Sequence, residues 1–107
     1  MSQHLNKNAE VEWVPQAVIR RPVSFFEQKG FEFREGHDQL DLFRGTKCLK
    51  VAGHKYVLRH YTGYPDDTKT IYFPFDLTDK QTIRSLVSQI LDRLSLPASA
   101  LSWRRGD

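Results

Sequence analysis

Apolar and polar residues alternate with a period of two from Phe31 to Phe75, then switch to spacings of three and four. The first rhythm predicts strands and the second a helix. Phe31 and Phe33 alternate with Glu32 and Arg34, and Leu40 and Leu42 with Asp41. The intervening Glu35–Gln39 contains Gly36, so the two runs predict a hairpin. Leu49 and Val51 predict a third strand, Gly53 a turn, and Lys55–Tyr61 a fourth strand. Gly63, Pro65 and two aspartates mark a turn over Thr62–Asp67. Lys69–Phe75 reads as a fifth strand, with Pro74 at a sheet edge or strand end. Thr78, Asp79, Lys80 and Gln81 then fit a capping box. Ile83, Leu86, Val87, Ile90, Leu91 and Leu94 form one helical stripe, closed by Ser95 and Pro97.

The flanks are less regular. Val11, Trp13 and Val14 predict a short edge strand ending at Pro15. Pro22 suits a first helical turn and Gly30 a C-terminal glycine, giving a helix over about Pro22–Lys29 that could extend back through Ala17–Arg21. Leu101 and Trp103 are expected in a short final helix. The sum is an α+β domain: an antiparallel sheet of about four to five strands packed on a C-terminal amphipathic helix, with a short N-terminal helix. One sheet face would bury Phe31, Phe33, Leu49, Val51, Phe73 and the helix stripe, leaving the other at least partly wet. Met1–Glu10 is expected to be a flexible leader and Val11–Asp107 a single domain.

Composition narrows the class. At 107 residues, with 39% hydrophobic and 27% charged, the chain has ordinary globular proportions. Cys48 is the only cysteine, which excludes an intrachain disulfide and suits a reducing compartment. The polar N-terminus does not resemble a secretory signal, and no apolar run approaches the ~20 residues that span a bilayer. A soluble cytoplasmic protein with no membrane partner is expected. The net charge of +3 is small but unevenly placed. Glu27, Glu32, Glu35, Asp38 and Asp41 precede Leu42–Pro65, which holds five Lys/Arg, two His, three Tyr and no acid.

That basic window carries the main functional expectation. On Lys55–Tyr61, alternation separates Lys55, Val57, Arg59 and Tyr61 from Tyr56, Leu58 and His60. If Leu58 faces the core, the cations and Tyr61 project outward together. Cations neutralise phosphates and aromatic faces stack on bases, so Arg44, Lys50, Lys55, Arg59 and Tyr61 form a candidate surface for RNA or single-stranded DNA. The competing explanation is a set of solvated charges paired with neighbouring acids. His54 and His60 lack the ligand spacing of a metal centre and read as structural or surface histidines. Cys48 lacks a base and, beside Leu49 and Val51, reads as a small core filler. No phosphate loop, zincin motif or nucleophile elbow occurs. No catalytic residue, metal or cofactor is therefore assigned, and an enzyme is the less favoured reading.

Gly53-His54, a strand ending in Arg59-His60, a further strand and a helix containing Thr82–Leu86 are together similar to HicA-type toxins. The resemblance covers roughly the second half of the chain. It implies a relation to double-stranded-RNA-binding folds and cleavage of mRNA by a histidine. Gly53-His54 lacks the serine that family places between glycine and histidine, and Gly36-His37 offers a second alignment. Three functions thus stand in order: a non-catalytic nucleic-acid-binding module, a protein-interaction or self-associating accessory domain, and a HicA-like histidine-dependent ribonuclease toxin. A homodimer would use the Thr70–Phe75 edge or an exposed sheet face.

Overall fold

The computed structural model describes residues 12–37 and 41–106. The expected leader, Val11 and the centre of the first hairpin loop lie outside the described residues. The elements are β1 (Trp13–Ile19), α1 (Val23–Gln28), β2 (Arg34–His37), β3 (Leu42–Gly45), β4 (Leu49–Val51), β5 (His54–Tyr61), β6 (Lys69–Pro74), α2 (Lys80–Arg93), a 3-10 turn (Ala98–Ala100) and β7 (Leu101–Arg104). The fold is α+β, as its patterning predicts. The sheet is larger, however: seven antiparallel strands in the order β2-β3-β5-β6-β1-β7, with β4 paired to β5 in line with β3.

The enlargement comes from the flanks: β1, expected only as a short edge strand ending at Pro15, runs on to Ile19, and β7 is a further strand. Ala17–Ile19 is strand rather than helix. β1 lies inside the sheet between β6 and β7 rather than at an edge. Pro15 is tolerated there because the register slips between Pro15 and Ala17, interrupting the ladder where proline cannot donate. Leu101–Arg104 is a strand rather than a helix, paired to β1 through Val18 and Trp103. β6 is flanked on both sides by β5 and β1, so Thr70–Phe75 offers no free edge for a dimer. Pro74 ends that strand.

Between β3 and β4 the ladder on β5 breaks, and Thr46 replaces it. Its backbone N–H donates to the Leu58 carbonyl at 3.0 Å, while its hydroxyl accepts from the Leu58 N–H at 3.1 Å. Ala52 and Gly53 then close a two-residue turn with φ of +48° and +80°. Positive φ at both centres fits the right-handed twist of a hairpin, and alanine is the unusual occupant.

α2 begins one residue later than the predicted box, capped by Asp79 rather than Thr78. The Asp79 carboxylate accepts from the Thr82 N–H at 2.9 Å and the Thr82 hydroxyl at 2.6 Å. These bonds hold its carboxyl below the usual range. Aspartate satisfies the orphan donors of a first turn as well as threonine does, so either residue suited the sequence pattern. The helix ends through Ser95 at φ +57°, with the Leu96 N–H donating to the Leu91 carbonyl.

One apolar cluster unites the elements. The α2 stripe and Phe26 of α1 pack with Ala17, Ile19, Val51, Tyr56, Leu58, Ile71 and Phe73. Those sheet residues belong to one face by alternation and register. Phe33 is buried, whereas Phe31 and Leu49 are only partly covered. Phe26 is ringed edge-on by Phe25, Phe31 and Phe33 at 5.2–5.9 Å. Both helices therefore sit on the same side of the sheet, and no described helix covers the other. No described helix is long and apolar enough to cross a membrane.

Candidate nucleic-acid interface

Strand pairing decides which cations share a surface. Lys50 is opposite Lys55, Gly45 opposite Arg59, and Phe43 opposite Tyr61. Facing residues of an antiparallel pair project from the same side. Leu58 is fully buried under the helices, so Lys50, Lys55, Arg59 and Tyr61 all lie on the helix-free face. Arg44 does not join them. It is opposite His60 and Glu35, on the helix side, one position out of phase with Phe43 and Gly45.

Arg59 is the fixed point of the open face. Its guanidinium carbon lies 4.2 Å from the Phe43 ring centroid and 5.8 Å from that of Tyr72. Its Nη1 donates to the Tyr61 hydroxyl at 3.2 Å. The Nε is buried with no partner, a cost opposed by the two ring contacts. Two glycines make this packing feasible. A Cβ on Gly36 would come within 2.9 Å of the Phe43 ring, and one on Gly45 within 3.0 Å of the Arg59 stem. Bare backbone at both positions lets the ring and guanidinium lie close against the sheet.

The aromatic array extends from there. The Tyr61 ring is 5.2 Å from Phe43, 6.2 Å from Tyr72 and 6.3 Å from Tyr64. Burial, then the neighbouring Tyr61 and Tyr64, push the Tyr72 hydroxyl well above its ordinary range, so it stays protonated as a hydrogen-bond partner of Tyr61. Across the sheet, Trp103 is 44% exposed opposite Val18. Among the described strand residues the only carboxylate is Glu35, on the helix side opposite Arg44. No carboxylate pairs with Lys50, Lys55 or Arg59 among the described residues. The face thus combines a preset cation, flexible lysines and stacking rings.

The histidines do not converge. His54 is exposed at the β4–β5 turn, and six residues of extended strand separate it from His60 by about 20 Å. The His60 Nε2 lies 3.1 Å from the carbonyls of both Tyr64 and Pro65, tying it to the loop after β5. Cys48 is exposed, not a core filler, because Thr46–Cys48 leave the ladder where β3 and β4 separate.

A cleft of about 590 Å³ lies elsewhere, on the helix side near the ends of β2, β3 and β5. Arg44, His60 and Lys69 line it together with Glu35 and Asp66, so it lacks the one-sided charge of the open face. Sequence reading overlooked Lys69. It is 2% exposed, and its ammonium donates to the carbonyls of Asp66 at 2.8 Å and Thr68 at 3.0 Å. Burial lowers its pKa, opposed by Asp66 and Asp67. The signal was available, because Lys69 shares parity with core residues Ile71 and Phe73. No family model, curated protein or solved structure matches this chain.

Proposed function

We propose that the protein is a small non-catalytic binding domain that takes single-stranded RNA or DNA across its helix-free sheet face. One observation carries this reading: Lys50, Lys55, Arg59 and Tyr61 share a face that no described helix covers and to which the described strand residues present no carboxylate. Arg59 and the lysines would neutralise phosphates, while Tyr61, Phe43 and Tyr72 would offer ring surfaces to bases. Arg44 is left out of the interface because its strand position points it to the opposite side.

The test is fluorescence anisotropy with mixed-sequence single strands across a salt series. Lys55→Ala and Arg59→Ala should each weaken binding regardless of sequence and reduce the salt slope by about one. His54→Ala should leave affinity intact, and RNA should emerge uncut. Absence of binding at low salt by verified folded protein overturns the reading. RNA cleavage lost in His54→Ala would instead favour the ribonuclease. Self-association is the second reading, favoured by exposed Trp103 on the same face. A salt-insensitive dimer disrupted by Trp103→Ala, without nucleic-acid binding, would support it.

A further inference from the structure

A second concave site lies on the helix side of the sheet. A groove of about 280 Å³ runs between β1, the Phe75–Thr78 link and the first turns of α2. Its apolar wall is Val14, Phe75, Leu77 and Ile83. Phe75 is 59% exposed, a large ring left in water beside a cavity.

The remaining wall is cationic. Lys80, Arg84, Arg104 and Arg105 line the groove, and no carboxylate does among the described residues. Asp79, next in sequence, directs its carboxylate to Thr82. Arg84 and Arg104 also engage partners within the protein. Arg105 is braced at the groove by donating from Nε to the Pro15 carbonyl at 2.9 Å.

Gln16 adds a polar group to the groove. It sits at the register slip of β1, is 5% exposed and lines the groove. Its side-chain amide makes no hydrogen bond among the described residues. The amide atoms are not buried without a partner, which only Arg59 Nε is among the described residues, so they open on the groove as a donor and an acceptor for whatever enters.

We propose that this groove binds a small amphipathic carboxylic acid. The tail would lie on Val14, Phe75, Leu77 and Ile83, with the carboxylate among Lys80, Arg105 and the Gln16 amide. Charge complementarity selects an anion, and the apolar wall selects one with a hydrocarbon or aryl body. The volume, near the lower end of small-ligand sites, favours a small molecule over a macromolecular segment. The site shares no residue with the proposed nucleic-acid face.

The test titrates the full chain with hexanoate, octanoate, decanoate and dodecanoate below micelle formation, followed by backbone amide shifts. Decanol and acetate serve as controls. Shifts should centre on Val14, Gln16, Phe75 and Ile83. Each added methylene should tighten binding by about fourfold until the groove is full. Decanol should bind about tenfold or more weakly than decanoate. Lys80→Glu and Arg105→Glu, both at exposed positions, should lose binding by a similar factor, while Lys55→Glu should not. No shifts at millimolar acid, shifts centred elsewhere, or equal binding of decanol and decanoate would overturn the proposal. RNA anisotropy on the same samples is read separately, so either site can fail without the other.

Discussion

The two faces of β5 show how one strand meets two demands. Tyr56 and Leu58 point into the helix-covered core, where removal from water is the main stabilising term. One residue out of phase, Lys55, Val57, Arg59 and Tyr61 point to a side with no described helix. There side chains are held by each other, ring against ring and guanidinium against ring. The covered face keeps its order by excluding water, and the open one, although Val57 and Thr70 are buried there, adds specific ring and guanidinium contacts. Stability and binding should therefore separate by residue parity.

The most severe break of that separation is in the core. Phe73→Ala should cost about 3–5 kcal/mol, and Leu86→Ala or Ile90→Ala about 2–5, measured by urea denaturation. Such losses would threaten folding of a domain this size. If any of the three leaves the midpoint unchanged, the covered face is not where stability resides.

Tyr61→Ala is the matching change on the open face. It should weaken single-strand binding by about 1–3 kcal/mol if a base stacks there. The urea midpoint should move far less than for Phe73→Ala. A larger effect on folding than on binding would show that the ring array is structural.

Turn chemistry sharpens the comparison without touching either face. Ala52→Asn places the preferred residue at a left-handed position and should stabilise by about 0.5–1 kcal/mol. Both RNA affinity and core exchange rates should hold their relative order; a destabilised variant would contradict the reading of alanine as the less favoured occupant of that turn position.

The smallest effect is alkaline. Tyr72 has its folded pKa raised above the ordinary 10.0, chiefly by burial. Below about pH 10 this preference for the neutral form contributes fully. As pH rises from there toward the folded value, the unfolded chain loses its proton first and stability falls. Tyr56, also raised by burial, acts in the same direction, while Lys69, lowered by burial, acts oppositely. Tyr72→Phe should therefore flatten the loss of stability between pH 9 and 11 without abolishing it. An identical pH profile would remove Tyr72 from that account.

The sequence was most readable where the signal is local. β5, β6 and α2 declare themselves through parity and period, and the shared face of Lys55, Arg59 and Tyr61 follows from β5 alone. Arg44 was misgrouped because a run of charge carries no face. Only the pairing of Phe43 with Tyr61 and Arg44 with His60 fixes its side. β1 was obscured by Pro15 and the slip that interrupts its alternation, and its last residues run into the approach to Pro22. β7 is four residues whose strand character depends on finding Val18 across the gap. Register and partner choice are tertiary facts, and these two strands consist of little else.

The place of β1 also sets an order of events. Ala17 pairs with Ile71 on one side and Arg104 on the other. An early segment of the chain therefore waits for two late ones. The α1-to-β5 region can assemble from neighbours, but β1 must close long loops before its ladders form. During ribosomal synthesis β1 emerges well before either partner, and even after β6 has paired with it, the other edge of its Ala17–Ile19 end would stay open until β7 clears the exit tunnel. Deleting Leu101–Arg104 would make that transient exposure permanent, leaving a strand edge open to pairing with other chains.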